Sequence, residues 1–126
     1  MRILPGLPVL KLKNEDFSRD PAAVDALNAD PLTKGEIQPA RTVAALLRAT
    51  DRMTREFGRI TLPVFILHGT ADKATMPAGS QFFHDNAGSN DKTLKLYEGH
   101  FHDLLNDIGK EQVIADMVAW IEARLP

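Results

Sequence analysis

Two short apolar runs, Leu62 to Leu67 and Thr93 to Tyr97, restrict the folds open to this chain. Each is too short and too continuously apolar for an amphipathic helix, and each reads as a strand covered on both faces, as in a parallel sheet. Pro77 opens a helix between them, with Phe82, Phe83 and Ala87 as its inward residues and Ala87-Gly88-Ser89-Asn90 as its end. Glu111 to Leu125 follows as an amphipathic helix whose expected buried stripe is Val113, Ile114, Met117, Trp120, Ile121 and Leu125. The order strand, helix, strand, helix is a right-handed parallel βαβα unit. Two parallel strands do not make a stable sheet alone, and both runs read as apolar on both faces. The pattern is that of the last third of a larger sheet, with an edge open to another chain.

The first half is helical and irregular. Residues 1–20 lack sustained periodicity and contain Pro5, Gly6 and Pro8. Asp20-Pro21 reads as a helix start, with Asp20 capping and Pro21 in the first turn, and the helix ends near Asn28. Thr33 to Gln38 reads as a turn. Pro39 opens a longer helix in which Val43, Leu46, Leu47, Thr50, Met53 and Phe57 recur at three- and four-residue spacing, with Gly58 placed to end it.

The 126 residues suffice for one domain, and a net charge of −2 gives no electrostatic reason to expect nucleic acid as a partner. No apolar run approaches the roughly 20 residues needed to cross a bilayer. The absence of cysteine removes disulfides, thiolate nucleophiles and sulfur-ligated metal, and suits a cytoplasmic location. The N-terminal stretch has neither the continuous apolar region nor the cleavage site of a signal peptide.

The chemistry lies where the two strands end. His68-Gly69-Thr70-Ala71-Asp72 turns after the first and delivers Asp72; Gly99-His100-Phe101-His102 turns after the second and delivers His102. An Asp and a His at the C-terminal ends of neighbouring strands are two members of a Ser-His-Asp triad, in the chain order Asp then His. The nucleophile should precede them. The three serines, Ser18, Ser80 and Ser89, include none in a G-x-S-x-G turn. Each feature also has a plainer reading: Asp is common in turns after strands. Ser80 in the first turn of a helix reads as structural, His68 as satisfying a hydrogen bond at the strand end, His84 as solvated, and Trp120 as core. The alternating pair His100 and His102 has no third ligand at convincing spacing, so no metal site and no cofactor is expected.

Taken together, Leu62 to Asp72, Asp91 to Tyr97, and Gly99 with His102 resemble the monoacylglycerol lipase and lysophospholipase branch of the α/β-hydrolases. Ser18-Arg19-Asp20-Pro21 and Asp30-Pro31-Leu32 resemble that branch's connection between cap and core, and the likeness runs from about Leu12 to the end of the chain. The resemblance implies a partial α/β-hydrolase fold: residues 1–58 the end of a cap region with connecting helices, and residues 59–126 the C-terminal βαβα part of the core. It implies Asp72 as triad acid and His102 as triad base, the Gly-x-x-His spacing favouring His102 over His100. It also implies a lipid-like monoester as substrate, with Leu27, Leu32, Leu46, Leu47 and Met53 available to line an acyl-chain pocket.

No counterpart of the family's nucleophile turn or oxyanion-hole loop is present. The leading expectation is therefore the C-terminal part of a serine carboxylic-ester hydrolase, inactive alone and associating with a missing N-terminal half or with itself. The alternative is a non-catalytic oligomerising or lipid- or partner-binding module derived from a hydrolase, or a small independent α/β domain whose likeness is only local.

Overall fold

A computed structural model describes residues 4–126. Its centre is the parallel pair β3 (Val64–Gly69) and β4 (Lys92–Tyr97), in register from Val64 opposite Lys92 to Gly69 opposite Tyr97. The intervening helix α3 (Pro77–Asn86) and the closing helix α4 (Lys110–Glu122) cover opposite faces of the pair. On one face Phe65 stacks on Trp120 at 5.3 Å, Trp120 donates from its indole nitrogen to Thr93, and the Arg124 guanidinium lies over the Trp120 ring while pairing with Asp91 at 2.6 Å. On the other face His68 reaches Ser80 in the first turn of α3. Adjacent strand residues thus face opposite helices, as period-two geometry requires.

The expected α4 stripe is too wide. Val113 is fully buried, and Met117 and Trp120 are half-buried, but Ile114, Ile121 and Leu125 are exposed. Val113, Met117 and Trp120 lie along one line of the helix, and with Val118 the exposed apolar residues form a second line beside it. The reading of Thr93 to Tyr97 as apolar on both faces is corrected as well. Lys95 sits near the middle of β4 and pairs with Asp116 of α4 at 2.5 Å, and Tyr97 donates its hydroxyl to the same carboxylate at 2.8 Å.

The N-terminal half carries α1 (Pro21–Ala29), capped by Asp20 accepting from the Ala22 amide at 2.9 Å, and α2 (Ala40–Glu56). Pro39 stands just ahead of α2 as its N-cap rather than inside it. The sequence reading missed a short antiparallel pair, β1 (Pro8–Leu10) with β2 (Gln38–Pro39). Two or three residues per strand are too few to leave an alternating signature. This ribbon holds the start of α2, because Ala40 and Arg41 donate to the carbonyls of Leu7 and Pro5. Phe57, beyond α2, is buried against Phe83 at 4.7 Å and ties the helix end to α3. No residue of α2 itself is buried, and Leu46, Leu47 and Met53 are all more than half exposed. Among the described residues, β3 pairs with β4 alone. No helix there is long and apolar enough to cross a membrane.

Candidate active site

The turns after β3 and β4 are locked together by backbone. Thr70 donates its amide to the Tyr97 carbonyl at 2.9 Å, Ala71 donates to His100 at 3.0 Å, and the Gly99 amide donates to the Thr70 hydroxyl at 2.8 Å. The approach is so close that a Cβ on Gly69 would lie 2.3 Å from the His100 carbonyl oxygen. Gly99 has φ +72°, a conformation that side chains with a Cβ rarely adopt. These two glycines let the second turn fold over the first and bring His102 onto Asp72.

His102 places Nδ1 2.8 Å from Asp72 Oδ2. The carboxylate side chain is 2% exposed and the imidazole 36%, so the pair joins a buried acid to a ring with an open edge. The Asp72 carboxylate also collects donors from its own turn. Oδ1 accepts from the Ala74 and Thr75 amides at 2.7 and 2.9 Å, and Oδ2 accepts from the Thr75 hydroxyl at 2.8 Å. Burial raises its pKa, but the hydrogen bonds from Thr75, His102 and Ala74 outweigh that and bring it from 3.8 down to about 2. Asp72 is therefore an anion at neutral pH, and an anion on Nδ1 fixes the His102 tautomer with its proton there, leaving Nε2 as the basic nitrogen.

A second support lies behind His102. Asp107, 1% exposed, accepts from the Phe101 amide at 2.8 Å, the Arg19 amide at 2.7 Å and Arg19 Nε at 2.9 Å. Burial raises the Asp107 pKa and these donors lower it by more, so it is held below the ordinary carboxylate range. The Asp103 amide donates to the Phe17 carbonyl at 2.8 Å, and the Phe17 ring meets the His102 ring edge-on at 5.1 Å. Residues 17–19 thus hold the chain just after His102, and Asp107, which they bind, holds the Phe101 amide just before it. The sequence marks Ser18-Arg19-Asp20-Pro21 as a helix start and as a connection, but does not reveal Asp107, whose partner Arg19 lies 88 positions away.

The remaining candidates separate clearly. His100 does not meet Asp72: its Nδ1 lies 3.2 Å from the Glu98 carbonyl oxygen and its Nε2 is buried without a partner. Each serine is engaged elsewhere among the described residues. Ser18 donates to the Asn106 carbonyl, Ser80 bonds to His68, and Ser89 donates to the Asp91 carbonyl. His84 lies beside Asp85 on the surface of α3. No group of three or more His, Asp or Glu among the described residues is arranged to hold a metal.

The apolar residues suggested for an acyl pocket do not assemble into one. Leu27 and Met53 line different depressions, and Leu32, Leu46 and Leu47 are exposed; α1 packs on residues 14–16, whereas α2 packs on the β1–β2 ribbon. An open depression of about 470 Å³ does adjoin His102, lined by Phe17, Leu67, Leu104, Leu105 and Met117.

The family model described as serine aminopeptidase, S33 (Hydrolase_4) matches residues 1–109, most of the chain. The chain belongs to the Hydrolase_4 family. Among curated relatives of this Hydrolase_4 chain, the monoacylglycerol lipase of Mycolicibacterium smegmatis is 33% identical over 98% of it and 44% of the relative. The caffeoylshikimate esterase of Arabidopsis thaliana is 37% identical over 85% of the chain and 33% of that enzyme. Among solved structures, the monoacylglycerol lipase of Paleococcus ferrophilus superposes with a TM-score of 0.84 at 31% identity, over 94% of this chain and 47% of that one. The fold is thus part of an α/β-hydrolase fold, and the chain spans less than half the length of these relatives.

Proposed function

We propose that Asp72 and His102 are the acid and base of a serine-hydrolase triad that cleaves carboxylic esters of lipid-like monoesters. The observation that carries this reading is the 2.8 Å contact between His102 Nδ1 and the buried Asp72 carboxylate at the ends of paired parallel strands. In the reaction, His102 Nε2 takes the proton of a serine hydroxyl as the serine oxygen attacks the ester carbonyl. The tetrahedral intermediate collapses, the carbon–oxygen bond to the alcohol breaks, and His102 returns the proton to the departing alkoxide. Water then attacks the acyl-serine, giving its proton to His102, and the acid leaves as the serine is re-protonated. Asp72 stays ionised throughout and balances the imidazolium. The apolar depression beside His102 suits the acyl part of such an ester.

No nucleophile is proposed within these 126 residues, since all three serine hydroxyls are committed elsewhere. The partner proposed is a nucleophile-bearing N-terminal half, docked on the open edge of β3. By themselves the 126 residues should neither label with a fluorophosphonate probe nor hydrolyse p-nitrophenyl esters above buffer. Stoichiometric labelling of Ser18, Ser80 or Ser89 would overturn this assignment. Hydrolysis appearing when a G-x-S-x-G-containing half from a relative is added would support it.

A further inference from the structure

The Asp72 carboxylate has a second imidazole beside it. His68, the penultimate residue of β3, places Nε2 3.0 Å from Asp72 Oδ2, the same oxygen that meets His102 and the Thr75 hydroxyl. Its side chain is only 10% exposed, and the same nitrogen lies 3.4 Å from the Thr75 carbonyl oxygen. Two acceptors therefore surround Nε2. An unprotonated Nε2 would set its lone pair against both of them, so that nitrogen must carry hydrogen. The other nitrogen agrees: Nδ1 lies 2.7 Å from the Ser80 hydroxyl, which can donate to it. Ser80 and His68 are brought together because even-numbered residues of β3 face α3, and Ser80 sits in the first turn of that helix.

We propose that His68 is a positioning residue for the triad acid: Ser80 fixes its tautomer, and its Nε2–H, donated to the Thr75 carbonyl 3.4 Å away and 3.0 Å from Asp72 Oδ2, pins the turn whose Thr75 amide and hydroxyl hold Asp72 in line with His102. This assignment rests on Asp72 being the acid of the proposed triad. Its consequence is a division of labour around one carboxylate. His102 must gain and lose a proton in every cycle, whereas His68 and Thr75 do not exchange protons with substrate and keep the carboxylate still. Two imidazoles on one carboxylate then carry opposite tautomers, Nδ1–H for His102 and Nε2–H for His68. Ser80, unplaced in the reaction above, acquires a role through His68.

Long-range proton–nitrogen NMR correlation on the full chain at neutral pH reads both tautomers without substrate. The expected result is His68 protonated on Nε2 and His102 on Nδ1. In His68→Leu, His102 should lose its single tautomer and become a mixture; in His68→Gln, whose amide N–H can replace the imidazole donor, the Nδ1–H form should persist. Ser80→Ala is a mild change that leaves the fold to its other contacts. It should release His68 into mixed tautomers and speed solvent exchange of the His102 Nδ1 proton several-fold. A wild-type His68 protonated on Nδ1 would overturn the proposal, whatever the variants do. So would a folded His68→Leu or Ser80→Ala chain with His102 unchanged. Failure of the ester-hydrolase reading shows up separately, as no hydrolysis in the two-part enzyme with these tautomers intact.

Discussion

At the scale of single residues, the site is a carboxylate held by more donors than its role as a hydrogen-bond acceptor for one ring requires. In a preparation reconstituted with a nucleophile-bearing half, Asp72→Asn and His102→Ala should each lower turnover by about 10⁴ to 10⁶, because triad members act as a unit. His100→Ala should stay close to the parent, since that ring turns away from Asp72. A His100→Ala variant as inactive as His102→Ala would reverse the assignment. Asp72 also makes stability depend on acid. Its folded pKa of about 2 lies below its free value of 3.8, so the contribution is complete above about pH 4 and is lost as pH falls toward 2. The loss is about 2 kcal/mol, and urea titrations at pH 5 and pH 2.5 should show it, with a smaller difference in Asp72→Asn. Gly69→Ala should be costly for a purely steric reason. A methyl 2.3 Å from the His100 carbonyl oxygen forces the two turns apart, with a loss of roughly 1–3 kcal/mol measurable by thermal melting.

Much at this scale could be read from the chain before any coordinates. Asp72 and His102 were accessible because each follows an apolar run by a short glycine-containing turn. Thr75 was accessible in principle, since an Asp followed two and three residues later by free amides is a recurrent turn. Asp107 was not. Its environment is made by Arg19 and Phe101, and no local pattern announces a carboxylate whose main partner is 88 residues away. The position of His68 at the end of a strand marks it as a hydrogen bonder there, and its contact with Ser80 is that bond. Its closeness to Asp72 depends on how the turn curls back, which spacing does not reveal.

At the scale of elements, the sequence pattern located the four helices and the parallel strand pair, though not the β1–β2 ribbon, and overestimated what they cover. A sequence stripe gives the apolar width of a helix, while the buried width depends on how many neighbours that helix has. Among the described residues α4 lies against the β3–β4 pair with half of its expected stripe still exposed, and no residue of α2 is buried. The docking of α4 instead concentrates on one residue. Trp120 joins a stacked Phe65, a bonded Thr93 and an overlying Arg124. Trp120→Ala should therefore destabilise the chain by about 2–4 kcal/mol, the ring being only half-buried, whereas Ile121→Ala one position on should cost little. Chemical denaturation of the two variants side by side distinguishes these outcomes.

At the scale of the whole molecule, the exposed apolar surface sets the expected state in solution. The free edge of β3, the outer line of α4 (Ile114, Val118, Ile121, Leu125) and the apolar residues of α2 together leave more hydrocarbon facing water than a stable monomer usually tolerates. Lys95 in β4 does not guard the open side, because its charge is spent on Asp116. The chain alone should self-associate at micromolar concentration, and light scattering that shows only a 13.9 kDa species on concentration would contradict this. Addition of a nucleophile-bearing half should compete with self-association.

The grip of residues 17–19 on the loop around His102 also sets an order of events in time. Arg19 leaves the ribosome 88 residues ahead of Asp107, and until that carboxylate arrives its guanidinium and backbone amide have no such anion to meet. The His102 loop, for its part, is complete only after both strands have paired. Closing the loop between them comes late and is slow, because so long a separation carries a large entropic penalty before any contact offsets it. The histidine would thus be among the last parts of the molecule to settle and, when the structure loosens, among the first to be released.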